Sequence, residues 1–175
     1  MNIVLFGDSI LGRLGKVYIT QLEALIPGSV VHNCATGGFN STDLARRAKY
    51  IAALKPDIAL LSFGVNDVSP WKDIVALNDF VSNARVILEA FKGSRVILLK
   101  CPHVSLVDSQ QTAIVNTRLD EYYNEISVRF GSECSTIDTN ILFAGIDNFH
   151  EEDGLHFNED AYEILVSELA LRINS

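Results

Sequence analysis

Positive charge is scarce in this chain: 14 Lys and Arg stand against 22 Asp and Glu, a net charge of −8. Binding to nucleic acid is driven by clustered Lys and Arg, so no nucleic-acid partner is expected. The one basic pair, Arg46-Arg47, reads as part of a solvated helix face. No apolar stretch is long enough to cross a bilayer, and no membrane insertion is expected. Cysteine is rare too. Cys34, Cys101 and Cys134 are odd in number, far apart and without paired spacing, which argues against a disulfide framework or a zinc knuckle and fits a reducing compartment. The first apolar run begins at Asn2, leaving no room for a charged leader before it, so a cytoplasmic protein is expected. Gly-x-Ser-x-Gly, Walker and Gly-x-Gly-x-x-Gly signatures are all missing, which disfavours the common α/β-hydrolase, nucleotidase and dinucleotide-binding readings.

What is present is alternation. The 175 residues suffice for a single domain spanning 1–175. Asn2 to Phe6 reads as a buried strand ending at Gly7-Asp8-Ser9. Apolar positions Leu11, Leu14, Tyr18, Leu22 and Leu25 then predict one helix, stopped by Pro27-Gly28. Val30 to Asn33 is a second strand. Ser41 or Thr42 is placed to cap a helix reaching Leu54, and Ile58 to Phe63 reads as a central strand covered on both faces. The stripe Ile74, Leu77, Val81, Ala84, Leu88, Phe91 predicts the next helix, with Gly93 as its C-terminal cap. Val96 to Leu99, a helix through Val115 and Phe130, a weak strand at Ser135 to Ile137, an irregular Asp138 to Phe157 and a last helix from about Asn158 complete the chain. Strands alternating with helices predict a doubly wound α/β fold, a parallel five-stranded sheet of order 2-1-3-4-5.

Ligands of such sheets lie beyond the carboxyl ends of the strands. The loops there carry Ser9, Gly37-Gly38 and Asn66, and Asp153-Gly154-Leu155-His156 precedes the last helix. Acyl transfer needs a nucleophile, a base and oxyanion donors. Ser9 fits the first role, His156 the second, and Asp153, three residues earlier, can hold the imidazole. The donors would be the Ser9 amide, a glycine amide of the second loop and the Asn66 side chain. Each residue also has a plainer use: Asp8 and Ser9 as helix caps, Asn66 and Asp153 in turns, His156 on the surface. His150 is the rival base but lacks a carboxylate three positions earlier. A His150, Glu151, His156 metal set matches no helical ligand spacing, so no metal is expected.

These four blocks, in this order, resemble those of the SGNH hydrolases, or GDSL esterases and lipases: Gly7-Asp8-Ser9, Asn33 to Gly38, Gly64-Val65-Asn66-Asp67, and Asp153 to His156. The resemblance implies a flavodoxin-like three-layer α/β/α sandwich and hydrolysis of a small-molecule ester or thioester without metal or organic cofactor. It implies Ser9, Asp153 and His156 as catalytic residues and Ser9, Gly38 and Asn66 as the oxyanion hole, Gly38 being favoured over Gly37 by its distance from Asn33. The family often has a hydroxyl residue shortly after the serine, where this chain has Ile10-Leu11-Gly12. Phe39, Trp71, Val104 and Leu106 are candidates for an apolar substrate pocket, with Lys100 to Ser109 helping to shape it. The contrasting reading is a non-catalytic acyl- or glycan-binding module on the same fold.

Overall fold

A computed structural model describes residues 1–175. Its centre is a parallel sheet of five strands, β1 (Asn2–Gly7), β2 (Val30–Asn33), β3 (Ile58–Ser62), β4 (Arg95–Lys100) and β5 (Ser135–Asp138), in the order β2-β1-β3-β4-β5. The predicted order is observed. Residues Ile3 to Gly7, Ile58 to Ser62 and Val96 to Leu99 are buried, whereas β2 and β5, at the two edges, are only partly so. That gradient explains why the central strands read as continuous apolar runs and β5 as a weak one.

The helices are α1 (Ser9–Gly12), α2 (Lys16–Leu25), α3 (Ser41–Ala52), α4 (Val65–Val68), α5 (Leu77–Ala90), α6 (Ser109–Phe130), α7 (Thr139–Leu142) and α8 (Glu159–Asn174). α2 packs on α8, and α3 on α5 and α5 on α6, the two groups that right-handed crossovers put on opposite faces of this sheet. A continuous core of 47 buried apolar residues fills the layers. Each fully buried Leu, Ile or Phe side chain contributes about 1.5–3 kcal/mol relative to its exposed state.

Several boundaries differ from expectation. The helix predicted from Leu11 to Leu25 is two helices: α1 ends at Gly12 with Arg13 as its C-cap, and Gly15 caps a separate α2. Leu11 and Leu14 are buried beneath that break while Leu25 is exposed, so the stripe ran through two elements that happened to stay in phase. α3 is capped by Asn40, not Ser41 or Thr42. The Asn40 side chain accepts from the Asp43 N–H at 3.1 Å, and Asp43 reaches back to the Asn40 N–H at 3.4 Å. Ile74 precedes α5 and is exposed, and α5 ends at Ala90 with Phe91, not Gly93, as its C-cap.

Candidate active site

The Ser9 turn is built from below. Gly7 stands where β1 presses on β3; a Cβ there would lie 2.4 Å from the Ser62 carbonyl oxygen, so only glycine fits. Asp8, fully buried, caps α1 by accepting from the Ile10 N–H at 3.0 Å and also accepts from Ser62 Oγ at 2.9 Å. Burial pushes its carboxyl up to about 7, against those hydrogen bonds, which favour the charged form. Cys101 lies behind it, Sγ 3.9 Å from Oδ2, and its thiol is pushed up to about 12, first by burial and then by Asp8. Asp8 therefore takes the capping role, leaving the Ser9 hydroxyl free above the sheet. As the first residue of α1, Ser9 also presents an N–H that no helical carbonyl can reach.

The second loop is tied to the first. Asn33 Nδ2 donates to the carbonyls of Leu11 (2.9 Å) and Leu14 (3.0 Å), which fixes the break between α1 and α2. The loop closes through Thr36 N–H to Gly7 and Phe39 N–H to Thr36, leaving the Gly37 and Gly38 amides without a partner in the protein. Gly38 is left-handed at φ +79, and Gly37 lies closest to the serine, a Cβ on it falling 3.9 Å from Ser9 Cβ. Two donors hold the consecutive carbonyls that follow: Lys72 Nζ on Gly38 at 2.6 Å, Asn66 Nδ2 on Phe39 at 2.9 Å. Asp67, also buried, receives the Ser41 N–H on both carboxylate oxygens, at 2.9 and 3.1 Å; burial raises it to about 6 despite these bonds.

The histidine comes from a different kind of support. Phe157 is fully buried against Phe143 (5.0 Å) and Tyr162 (5.4 Å), and this anchors the residue after His156. The loop before it is exposed and shaped by its own backbone: Glu151 N–H donates to the His156 carbonyl at 2.7 Å, and Asp153 Oδ1 accepts from the Leu155 and His156 N–H groups at 2.9 Å each. Gly154 is pressed against the loop after β4. It has φ +66, and a Cβ would lie 1.9 Å from the Ser105 carbonyl oxygen.

These supports bring the two ends of the chain together. Ser9 Oγ is 2.8 Å from His156 Nε2, and Asp153 Oδ2 is 2.5 Å from His156 Nδ1. With the carboxylate accepting from Nδ1–H, Nε2 is left as acceptor for the serine hydroxyl. Partial burial works to raise the Asp153 carboxyl, but the hydrogen bonds from the His156 ring and amide and from Leu155 prevail and hold it at about 2. The cleft above, of about 510 Å³, is lined by Ser9, Gly37, Gly38, Asn66 and His156 together with Trp71, Leu155, Arg13 and Lys72.

Other candidates lie elsewhere. Phe39 does not line the cleft; its ring carries the Arg47 guanidinium at 4.4 Å and its carbonyl holds Asn66. Val104 is buried and borders a separate cleft with His103 and His150. The Lys100 to Ser109 loop thus buttresses the histidine loop, through Ser105 N–H to the Gly154 carbonyl at 2.7 Å, instead of shaping the Ser9 cleft. His150 packs against Phe149 with its ring tilted, and is lowered from its ordinary pKa by burial. The carboxylate and imidazole atoms of Glu151, Asp153 and His156 lie within 4.8 Å of one another, a geometry open to a cation. Each already has a partner, Glu151 in Arg13 and Asp153 and His156 in each other. Arg13 and Lys72 were not singled out in the sequence. A lone cation in a loop or helix end carries no pattern, and the only signal for Lys72 was its place beside Trp71.

The family model of GDSL-like lipases and acylhydrolases matches residues 5–164. The chain belongs to that family. This GDSL hydrolase is an ester-hydrolysing enzyme. A lipase/acylhydrolase from Enterococcus faecalis matches with a TM-score of 0.83 at 26% identity, over 98% of this chain and 94% of that one. An acetylxylan esterase, Axe2 from Geobacillus stearothermophilus, has the same fold, with a TM-score of 0.81 at 21% identity over 99% and 94%. No curated protein matched the GDSL hydrolase in sequence. None of its helices is long and apolar enough to cross a membrane.

Proposed function

We propose that this GDSL hydrolase cleaves a small carboxylic ester or thioester through an acyl-enzyme on Ser9. The observation that carries the reading is the hydrogen-bonded line Ser9 Oγ, His156, Asp153, at 2.8 and 2.5 Å. His156 Nε2 takes the hydroxyl proton as Oγ attacks the carbonyl carbon, and the imidazolium then gives it to the departing alcohol or thiol. Asp153 keeps the ring in the required tautomer. Water, activated by the same nitrogen, releases the acid and restores Ser9.

Negative charge on the carbonyl oxygen would be met by the Ser9 and Gly38 amides and by Asn66 Nδ2, whose second N–H is not used by Phe39. Gly38 is preferred for its unpartnered amide and for the two clamps on the carbonyls that follow it. Apolar lining is confined to Ala35, Trp71 and Leu155, which supports a short acyl chain and gives Trp71 a place beside it. One continuous core supports reading residues 1–175 as a single domain, and three unpaired cysteines support a reducing, cytoplasmic setting.

The test is acid quenching during turnover of a p-nitrophenyl ester, followed by peptide mass analysis. The expected result is one acyl group on the peptide holding Ser9. Turnover with no acylated serine contradicts the reading.

A further inference from the structure

The protein is acidic overall, yet the cleft at Ser9 is not. Apart from His156, the ionisable side chains lining it are Arg13 and Lys72, and no carboxylate does so. The acids nearby are directed elsewhere. Asp153 bonds to His156, Glu151 pairs with Arg13 at 2.5 Å, and Glu152 and Asp73 border neighbouring clefts. The two cations are not equivalent. Arg13 is held by Glu151 and is partly neutralised. Lys72 is exposed and meets only the Gly38 carbonyl, so two of its three N–H donors remain available at the glycine end of the cleft.

A cation fixed there, with its partner a neutral carbonyl, is an unmatched charge facing the place where substrate must lie. We propose that the cleft selects esters bearing a carboxylate or phosphate, in the acyl part or in the alcohol part, whose negative charge is received by Lys72, with Arg13 as a weaker second contact. The inference rests on Ser9 being the nucleophile. The negative group exchanges water for a charge-assisted hydrogen bond on the ammonium, and this positions the carbonyl over Ser9.

The experiment compares kcat/KM for neutral p-nitrophenyl acetate, the mono-p-nitrophenyl ester of succinate, and the acetate ester of 3-hydroxybenzoate, each divided by its alkaline hydrolysis rate. One anionic ester should exceed the neutral one by about tenfold at low salt, the size of one hydrogen bond to a charged group, and the advantage should shrink as salt is added. The ester that gains shows which side carries the charge. Lys72→Met should bring the ratio of anionic to neutral to about one and Lys72→Arg should keep it; using a ratio within each variant cancels any general loss from the Gly38 contact. Glu151→Gln, on an exposed loop, should raise the ratio by freeing Arg13. Ser9-dependent turnover of all three esters at one normalised rate, or a preference untouched by salt and by Lys72→Met, overturns this inference alone. Absence of Ser9-dependent turnover for every ester overturns the Ser9 reading and this inference with it.

Discussion

The two halves of the candidate site are held in opposite ways. Ser9 follows a strand buried from Ile3 to Gly7 and a fully buried carboxylate, and Ile10 and Leu11 after it are core residues. His156 ends a mostly exposed loop, its carboxylate partner 44% exposed, which is tied down by the buried Phe157 on one side and by the contact of Gly154 with Ser105 on the other. The nucleophile is thus part of the core, and the base is brought to it by a loop that folds on itself. Damage to the first half should therefore register in stability, and damage to the second mainly in turnover.

The largest effect expected separates chemistry from scaffold. Ser9→Ala and His156→Ala should each lower hydrolysis of a p-nitrophenyl ester by at least about 10⁴-fold with melting temperature nearly unchanged, since neither side chain fills the core. Substantial remaining turnover in either variant would move the chemistry elsewhere. Asn66→Ala should cost roughly 10²- to 10³-fold in kcat, the usual loss for one oxyanion donor, measured on protein whose circular dichroism matches the parent.

A pair of glycines sharpens the contrast. Gly154→Ala forces the loop away from Ser105, and a shift of about 1 Å at the base costs roughly 10²-fold in turnover, with a small change in stability. Gly7→Ala pushes β1 off β3 and should lower denaturation free energy by about 1–3 kcal/mol or more, the usual cost of overpacking a core. If the two variants show the same balance of lost activity and lost stability, the contrast between the halves is wrong.

The carboxylates give the smallest and most specific test. Asp8 is raised from 3.8 to about 7 in the folded protein, so the folded state binds its proton more tightly. The stability it contributes is present below 3.8 and is lost as pH rises towards 7, by up to about 4 kcal/mol for three units. Asp153, lowered to about 2, behaves in reverse: its contribution is present above 3.8 and is lost as pH falls towards 2. Urea denaturation across pH should show Asp8→Asn flattening the decline between pH 4 and 7, and Asp153→Asn changing the profile only at the acid end. A parent profile that rises between pH 4 and 7, with no change on replacing Asp8, would show that this carboxyl is not buried as described.

The order of the sheet was legible because β1, β3 and β4 are covered on both faces and so appear as unbroken apolar runs. Helix ends were less so. Leu11 and Leu14 keep helical phase with Tyr18 and Leu22 across a real break, and periodicity alone cannot see a gap that preserves phase. Asn40, Ser41 and Thr42 are all competent caps, and the choice falls to Asn40 because Asp43, three residues on, can answer it and Ser41 is claimed by Asp67. At the candidate site, short motifs named Ser9, Asn66 and His156, residues the fold brings to one cleft. The contacts that hold these residues in place were not visible, since Asp8 to Ser62 and Lys72 to Gly38 join residues 54 and 34 apart in the chain. Apolar character pointed to Phe39 and Val104 as well as Trp71, but hydrophobicity does not distinguish a residue packed under a loop from one that lines a cleft.

The central claim is that Ser9 is activated by a base delivered from the far end of the chain. Labelling with a fluorophosphonate, which reacts quickly only with an activated serine, tests this most directly. The account predicts one adduct on Ser9, formed rapidly in the parent protein and strongly slowed in His156→Ala. Failure to label, or labelling at the same rate without His156, would contradict it.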